Sequence, residues 1–196
     1  MPEAATARRV LLAEDEALIR LDLKELLEEE GYEVVGEAGD GEAAVRLARD
    51  LRPDLIVLDI KMPGLDGLSA AERIAEEHIA PVLILTAFSQ KDLVDRAAQA
   101  RAMGYLVKPF QKRDVVPAIE LAVARYGEMV ALEEEVTDLE ERLETRKLVD
   151  RAKGILMDLH GMREADAFRF LQKAAMDGRL RMFEVARRVL EGELEA

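Results

Sequence analysis

Leu55-Ile56-Val57-Leu58-Asp59-Ile60-Lys61-Met62-Pro63-Gly64-Leu65-Asp66-Gly67 is the stretch whose reading decides the fold. Four aliphatic residues run without polar alternation into an aspartate, and Pro-Gly and Asp-Gly pairs then turn the chain. A strand with one wet face alternates, so this one is read as buried on both faces, the pattern of a parallel sheet covered by helices. Similar apolar runs stand on either side of it: Val10-Leu11-Leu12-Ala13, Val34-Val35, Val82-Leu83-Ile84-Leu85 and Tyr105-Leu106-Val107. Helical periodicity fills the intervals, at about residues 17–30, 41–51, 66–77, 91–101 and 112–126. Gly31 and Gly104 stand where two of these helices are expected to stop. The alternation predicts an α/β domain with a five-stranded parallel sheet. Its chemistry is expected beyond the carboxyl ends of the strands.

The whole chain has 196 residues, 49% hydrophobic and 35% charged, enough apolar material for packed cores and enough length for a second, smaller domain. It contains no cysteine, which excludes disulfides and thiolate metal sites. No apolar stretch approaches the roughly 18 residues of a membrane span, and no signal-peptide pattern follows the first arginines. A cytoplasmic protein without membrane contact is expected. The net charge of -13 is unevenly spread. Residues 1–144 hold 17 Lys+Arg against 32 Asp+Glu, a balance of -15, whereas residues 145–196 hold 11 against 9, a balance of +2. Any nucleic-acid contact is therefore expected in the C-terminal segment, since phosphates are repelled by an acidic surface.

Four features fall at four strand ends: Glu14-Asp15, Asp59, Thr86 and Lys108-Pro109. Singly, each is ordinary: an acidic turn, a helix cap, another cap, a surface lysine. Together they place three carboxylates at one edge of the sheet, where mutual repulsion calls for a cation, and an oxygen-rich set suits Mg²⁺. A lysine and a hydroxyl beside them supply donors for an incoming phosphoryl group. His78 and His160 match no metal or kinase spacing and read as surface or packing residues.

The segments LLAEDE, LIVLDIKMPGLDG, LILTAFS and GYLVKPF resemble the four signature segments of two-component receiver domains, over roughly residues 8–127. The resemblance implies a flavodoxin-like sheet of order 2-1-3-4-5. It implies that Asp59 accepts a phosphoryl group from a sensor histidine kinase, with Glu14, Asp15, Asp59 and the backbone carbonyl of Lys61 around Mg²⁺. It further implies that Lys108 pairs with a phosphoryl oxygen, that Thr86 and Tyr105 form a two-state switch biased by the new dianion, and that Lys108-Pro109 is cis, although most X-Pro bonds are trans.

Beyond Pro117 the sequence reads as helix and short turns. Met129, Leu132, Val136, Leu139 and Leu143 repeat at 3, 4, 3, 4 spacing, a seam of a little over two heptads flanked by glutamates. Residues 128–144 are taken as a helical, coiled-coil-like linker between a receiver domain at 1–127 and an output domain at 145–196. A helix leaning on its own domain would show the same seam. Helices from Thr145 to Gly161, over Ala165–Ala175 and over Met182–Leu190 are expected to share one small core, with Phe168, Phe170, Phe183, Met157, Met162, Met176 and Met182 among the packing residues.

AKGILM, HGM, DAF, LQKAAM and VA in this segment are similar to the ANTAR domain, an RNA-binding antitermination module. The resemblance implies binding to paired hairpins of RNA and, since two hairpins call for two output domains, a homodimer, with phosphorylation of Asp59 acting either by favouring dimerisation or by releasing a masked RNA surface. Arg146, Lys147, Arg151, Lys153, Arg179, Arg181, Arg187 and Arg188 are the candidate RNA contacts. A DNA-binding output and a protein-sequestering output stand as alternatives. Residues 129–196 offer no nucleophile, base and orienting group, so the chain is expected to be a regulator with at most slow autodephosphorylation.

Overall fold

The computed structural model describes residues 7–87 and 100–194. The helix expected at 91–101 lies, but for its last two residues, outside them. The chain divides into two compact units, Met1–Val130 and Ala131–Ala196.

The first unit is a five-stranded parallel sheet of β1 (Arg9–Ala13), β2 (Glu33–Ala38), β3 (Leu55–Asp59), β4 (Val82–Thr86) and β5 (Gly104–Val107). The strand order is β2-β1-β3-β4-β5, as expected. Helices α1 (Ala17–Glu29), α2 (Gly41–Leu51) and α3 (Gly67–Glu76) alternate with the strands. The missing polar alternation has a direct cause. Leu11, Ala13, Ile56, Leu58, Val82 and Ile84 belong to one buried cluster with α2 and α3. Their alternating neighbours Val10, Leu12, Leu55, Val57, Leu83 and Leu85 belong to another with Leu23 and Leu27 of α1 and Val115, Ile119 and Ala122. Each central strand therefore feeds two cores.

Gly31 has φ +84 just past α1, the left-handed conformation that glycine adopts freely after a helix. Gly104 is the first residue of β5 instead of a helix stop. Its hydrogen-bonded register with Leu83 takes it into the ladder. Asp40 and Asp66 cap α2 and α3 by accepting backbone N–H bonds, which sets where the helices after β2 and β3 begin.

The helical stretches read at 112–126, along the seam and from Thr145 are continuous. One helix, α4, runs from Lys112 to His160. Gly127 and Gly154 lie within it, and an isolated glycine costs a helix only about 1 kcal/mol. Gly161, at φ +62, follows its end. In the second unit the last turns of α4 join α5 (Glu164–Gly178) and α6 (Met182–Leu190) around Val149, Ala152, Leu156, Ala167, Leu171, Ala175, Val185, Ala186 and Val189.

Candidate functional site

At the carboxyl edge of the sheet, β1 delivers Glu14 and Asp15, β3 ends on Asp59, β4 ends on Thr86 and β5 leads into Lys108. Carboxylate oxygens of Glu14, Asp15 and Asp59 all lie within 4.8 Å of one another. Glu14 is 1% and Asp59 5% exposed, whereas Asp15 faces solvent. Like charges this close and this dry need a counterion. Lys108 supplies part of it: its Nζ hydrogen-bonds Glu14 Oε2 and stands 2.6 Å from Asp59 Oδ1. The second Asp59 oxygen accepts the Lys61 backbone N–H at 2.8 Å. The Lys108-Pro109 peptide is cis.

Burial pushes the Glu14 carboxyl above its ordinary pKa, and the charge of Asp59 adds to this against the opposing pull of Lys108. For Lys108, burial works against the ammonium form. Its hydrogen bonds to Asp59 and Glu14 outweigh that penalty and hold the pKa above the usual lysine value. One ammonium thus serves two buried carboxylates, and Asp15 adds a third. An all-oxygen set of this kind, with one carboxylate open to water, suits a hard divalent cation that keeps part of its hydration.

A cavity of about 290 Å³ opens over these groups, lined by Asp15, Glu16, Asp59, Ile60, Lys61, Thr86, Ala87 and Lys108. Thr86 is 5% exposed, and its backbone carbonyl accepts the Lys108 N–H at 2.7 Å. Tyr105, 48% exposed, lies on β5 in register with Ile84. Glu16, Ile60 and Ala87 were missed in the sequence, where each stands next to a singled-out residue without distinctive chemistry. Arg20 was missed too: it donates to the backbone carbonyl of Glu14 and bridges to Glu37 at 3.2 Å.

A more specific signal is Gly67. A Cβ there would meet the backbone oxygen of Asp59 at 1.9 Å, so only glycine lets α3 start this close to the aspartate. The Gly67 N–H donates to Ile60 O at 2.9 Å, closing the loop.

The basic residues of the second unit fall into two groups. Arg146, Lys147 and Arg151 are exposed on α4, and Arg179, Arg181, Arg187 and Arg188 are exposed on and before α6. Lys153 is withdrawn: its side chain is 15% exposed and bridges to Asp150 and Glu164, both at 2.8 Å, tying α4 to the start of α5. Arg187 sits 5.5 Å over the ring of Phe183. Phe170, Met162 and Met182 pack against the core as expected. Phe168, Met157 and Met176 do not, being 43%, 39% and 74% exposed. On α5 the period of 3.6 puts Met176 opposite Ala167 and Phe168 at the edge of the face that carries Leu171 and Ala175.

Two family models match, "response regulator receiver domain" over residues 10–120 and "ANTAR domain" over residues 137–190. The transcriptional regulatory protein PdtaR of Mycobacterium tuberculosis is 63% identical over 189 residues, 96% of this chain and 92% of that protein. The chain belongs to the response regulators with a receiver and an ANTAR domain. The receiver half of this regulator is also 38% identical to the chemotaxis protein CheY of Thermotoga maritima, over 57% of the chain and 94% of that protein. Among solved structures, the response regulator domain of Thermotoga maritima CheB superposes with a TM-score of 0.54 at 29% identity, covering 61% of this regulator and 96% of that chain. A chain of the CheX–CheY–BeF3–Mg²⁺ complex from Borrelia burgdorferi superposes with a TM-score of 0.55 at 26% identity, covering 57% and 86%. Among the described residues the regulator has no helix long and apolar enough to cross a membrane.

Proposed function

We propose that Asp59 takes a phosphoryl group from the phosphohistidine of a sensor kinase, and that the output domain responds by binding hairpin RNA and preventing transcription termination. The observation that carries the first half is the single ammonium of Lys108 stretched between Glu14 and Asp59 with Asp15 alongside. Such a site is short of positive charge before a phosphoryl group arrives and shorter still afterwards. Glu14, Asp15, Asp59 and the Lys61 carbonyl would hold Mg²⁺, which when bound offsets the charge on the transferring phosphoryl oxygens. A similar fold crystallised with BeF3 and Mg²⁺ supports this reading.

In the transfer, the phosphorus–nitrogen bond to the kinase imidazole breaks and an acyl-phosphate bond to an Asp59 oxygen forms. Lys108 then pairs with a phosphoryl oxygen, and Thr86, at the cavity wall, hydrogen-bonds another. Tyr105, outward and 48% exposed in this structure, turns inward as Thr86 moves. Water reverses the modification slowly. The protein works in the cytoplasm.

The ANTAR match and the +2 balance of residues 145–196 support an RNA target. We assign the receiver to residues 1–127, the linker to 128–144 and the output to 145–196. Leu132, Val136, Leu139 and Leu143 are 61%, 53%, 55% and 55% exposed, which supports pairing of two copies along this seam once Asp59 is phosphorylated.

A gel-shift titration of a two-hairpin RNA with wild type and Asp59→Asn, each with and without acetyl phosphate and Mg²⁺, tests the proposal. Tighter binding on phosphorylation in wild type alone is expected. Binding that ignores acetyl phosphate refutes the coupling, and binding by neither protein refutes the RNA target.

A further inference from the structure

Phe168, Gln172 and Met176 follow one another at i, i+4 and i+8 along α5, and all three are exposed. On one helix face they make a stripe with an aromatic ring at one end, a thioether at the other and an amide between. Two cations, Arg169 and Lys173, border the stripe and are exposed as well. The nearby acids are largely engaged: Asp166 with Arg163 and Arg169, and Glu164 with Lys153. Asp177, exposed, lies at the far edge. Among the described residues Lys173 forms no ion pair.

The three phenylalanines of this unit differ in what their rings are free to do. Phe170 packs against the core, and the face of Phe183 is taken by Arg187 at 5.5 Å. Phe168, 43% exposed, offers a ring to solvent on a rigid helix. An aromatic face, an amide able to donate and accept, and cations at phosphate reach are what an unpaired nucleobase requires. The pairing of two copies proposed above already uses the exposed apolar seam on α4. A duplex with all its bases stacked has no free face to place on this ring.

Building on the RNA reading above, we infer that this face of α5 seats an unpaired base of the hairpin loop. Phe168 stacks on the base, Gln172 hydrogen-bonds its edge, Met176 covers its far side and Lys173 meets the adjoining phosphate. The basic clusters on α4 and α6 are left to hold the stem.

The test uses the full-length protein and a pool of stem-loop RNAs with a constant stem and a short randomised loop. RNAs retained by the phosphorylated wild type are rebuilt with 2-aminopurine at each loop position in turn. Phe168→Leu is expected to weaken binding roughly ten- to hundredfold, the span of one lost base stack, and to abolish the fluorescence quench at one loop position. Phe168→Tyr restores both, and Lys173→Gln lowers the slope of log affinity against log salt by about one. Wild-type retention with Phe168→Leu binding within twofold and an unchanged quench overturns the inference while leaving the RNA reading standing. Equal weakening by Phe168→Tyr and Phe168→Leu overturns stacking. Failure of wild type to retain any RNA overturns the RNA reading and the inference together.

Discussion

Truncating Leu171 to alanine is expected to destabilise the output unit while sparing the receiver. The core of that unit has nine buried members, four of them alanine and three valine, so Leu156 and Leu171 are its only buried leucines among the described residues. Leu171 is 0% exposed, and removing a buried leucine side chain costs about 3 kcal/mol through lost transfer energy and the cavity left behind. A unit the size of Ala131–Ala196 has a total stability of roughly 3–10 kcal/mol at about 0.05–0.15 kcal/mol per residue. One truncation therefore removes from about a third to all of it. In melting temperature the loss corresponds to roughly 12–24 °C, at about 4–8 °C per kcal/mol for a unit this small. The receiver's two clusters share no residue with this core. A calorimetric scan of Leu171→Ala should therefore show the output transition lowered by that amount and the receiver transition in place, with acetyl-phosphate labelling of Asp59 retained and RNA binding lost. A single transition shifted as a whole, or an output transition that moves by less than about 4 °C, the shift of a 1 kcal/mol change, would refute the reasoning.

Lys108→Met leaves Glu14 and Asp59 buried without their ammonium. Without Mg²⁺ the receiver should lose about 3 kcal/mol, as when one partner of a buried pair is removed, and addition of Mg²⁺ should raise its melting temperature more than it raises that of wild type. Equal Mg²⁺ responses would show that Lys108 does not balance the carboxylates. Tyr32 ionises at about 12, because burial and its hydrogen bond to Glu120 oppose the phenolate; the bond measures 3.0 Å. The unfolded chain gives up this proton near pH 10, so stability is intact below pH 10 and is lost as pH rises from there to about 12. Urea titrations at stepped alkaline pH should show that loss in wild type and a shallower one in Tyr32→Phe, while tyrosinate absorbance loses a step at about pH 12.

The sheet was legible because Leu55–Leu58 and Val82–Leu85 each serve two cores, a demand that leaves no polar residue inside the strand. The site was legible because Glu14, Asp15, Asp59, Thr86 and Lys108 sit at strand ends, which a parallel sheet gathers on one edge whatever the distance between them in the chain. Gly104 misled because a glycine after a helical pattern reads as a stop, whereas strand pairing with Leu83 claims it. The continuity of α4 was hidden by a change of composition near Thr145 that has no backbone counterpart. Lys153 reads in the sequence only as a candidate RNA contact, and its ion pair with Glu164 could not be read there, because only the fold brings the two together. Phe168 and Met176 looked like core because large apolar residues usually are; their exposure depends on which side of α5 faces Leu156 and Val185, and periodicity alone leaves that side open by a fraction of a turn.

Backbone meets backbone at both ends of the loop that follows Asp59. A Cβ on Gly67 would strike the Asp59 oxygen, and one on Gly41 would come within 2.2 Å of the Leu65 oxygen. The loop is thus held by main-chain shape at two glycines, while Met62, Ile60 and Leu65 pack its side chains on the core and Asp66 caps the helix that follows. A side chain on either glycine would have to push main chain aside, and at Gly67 that main chain carries Asp59. The carboxylate's place is thus written into two positions that have no side chain at all.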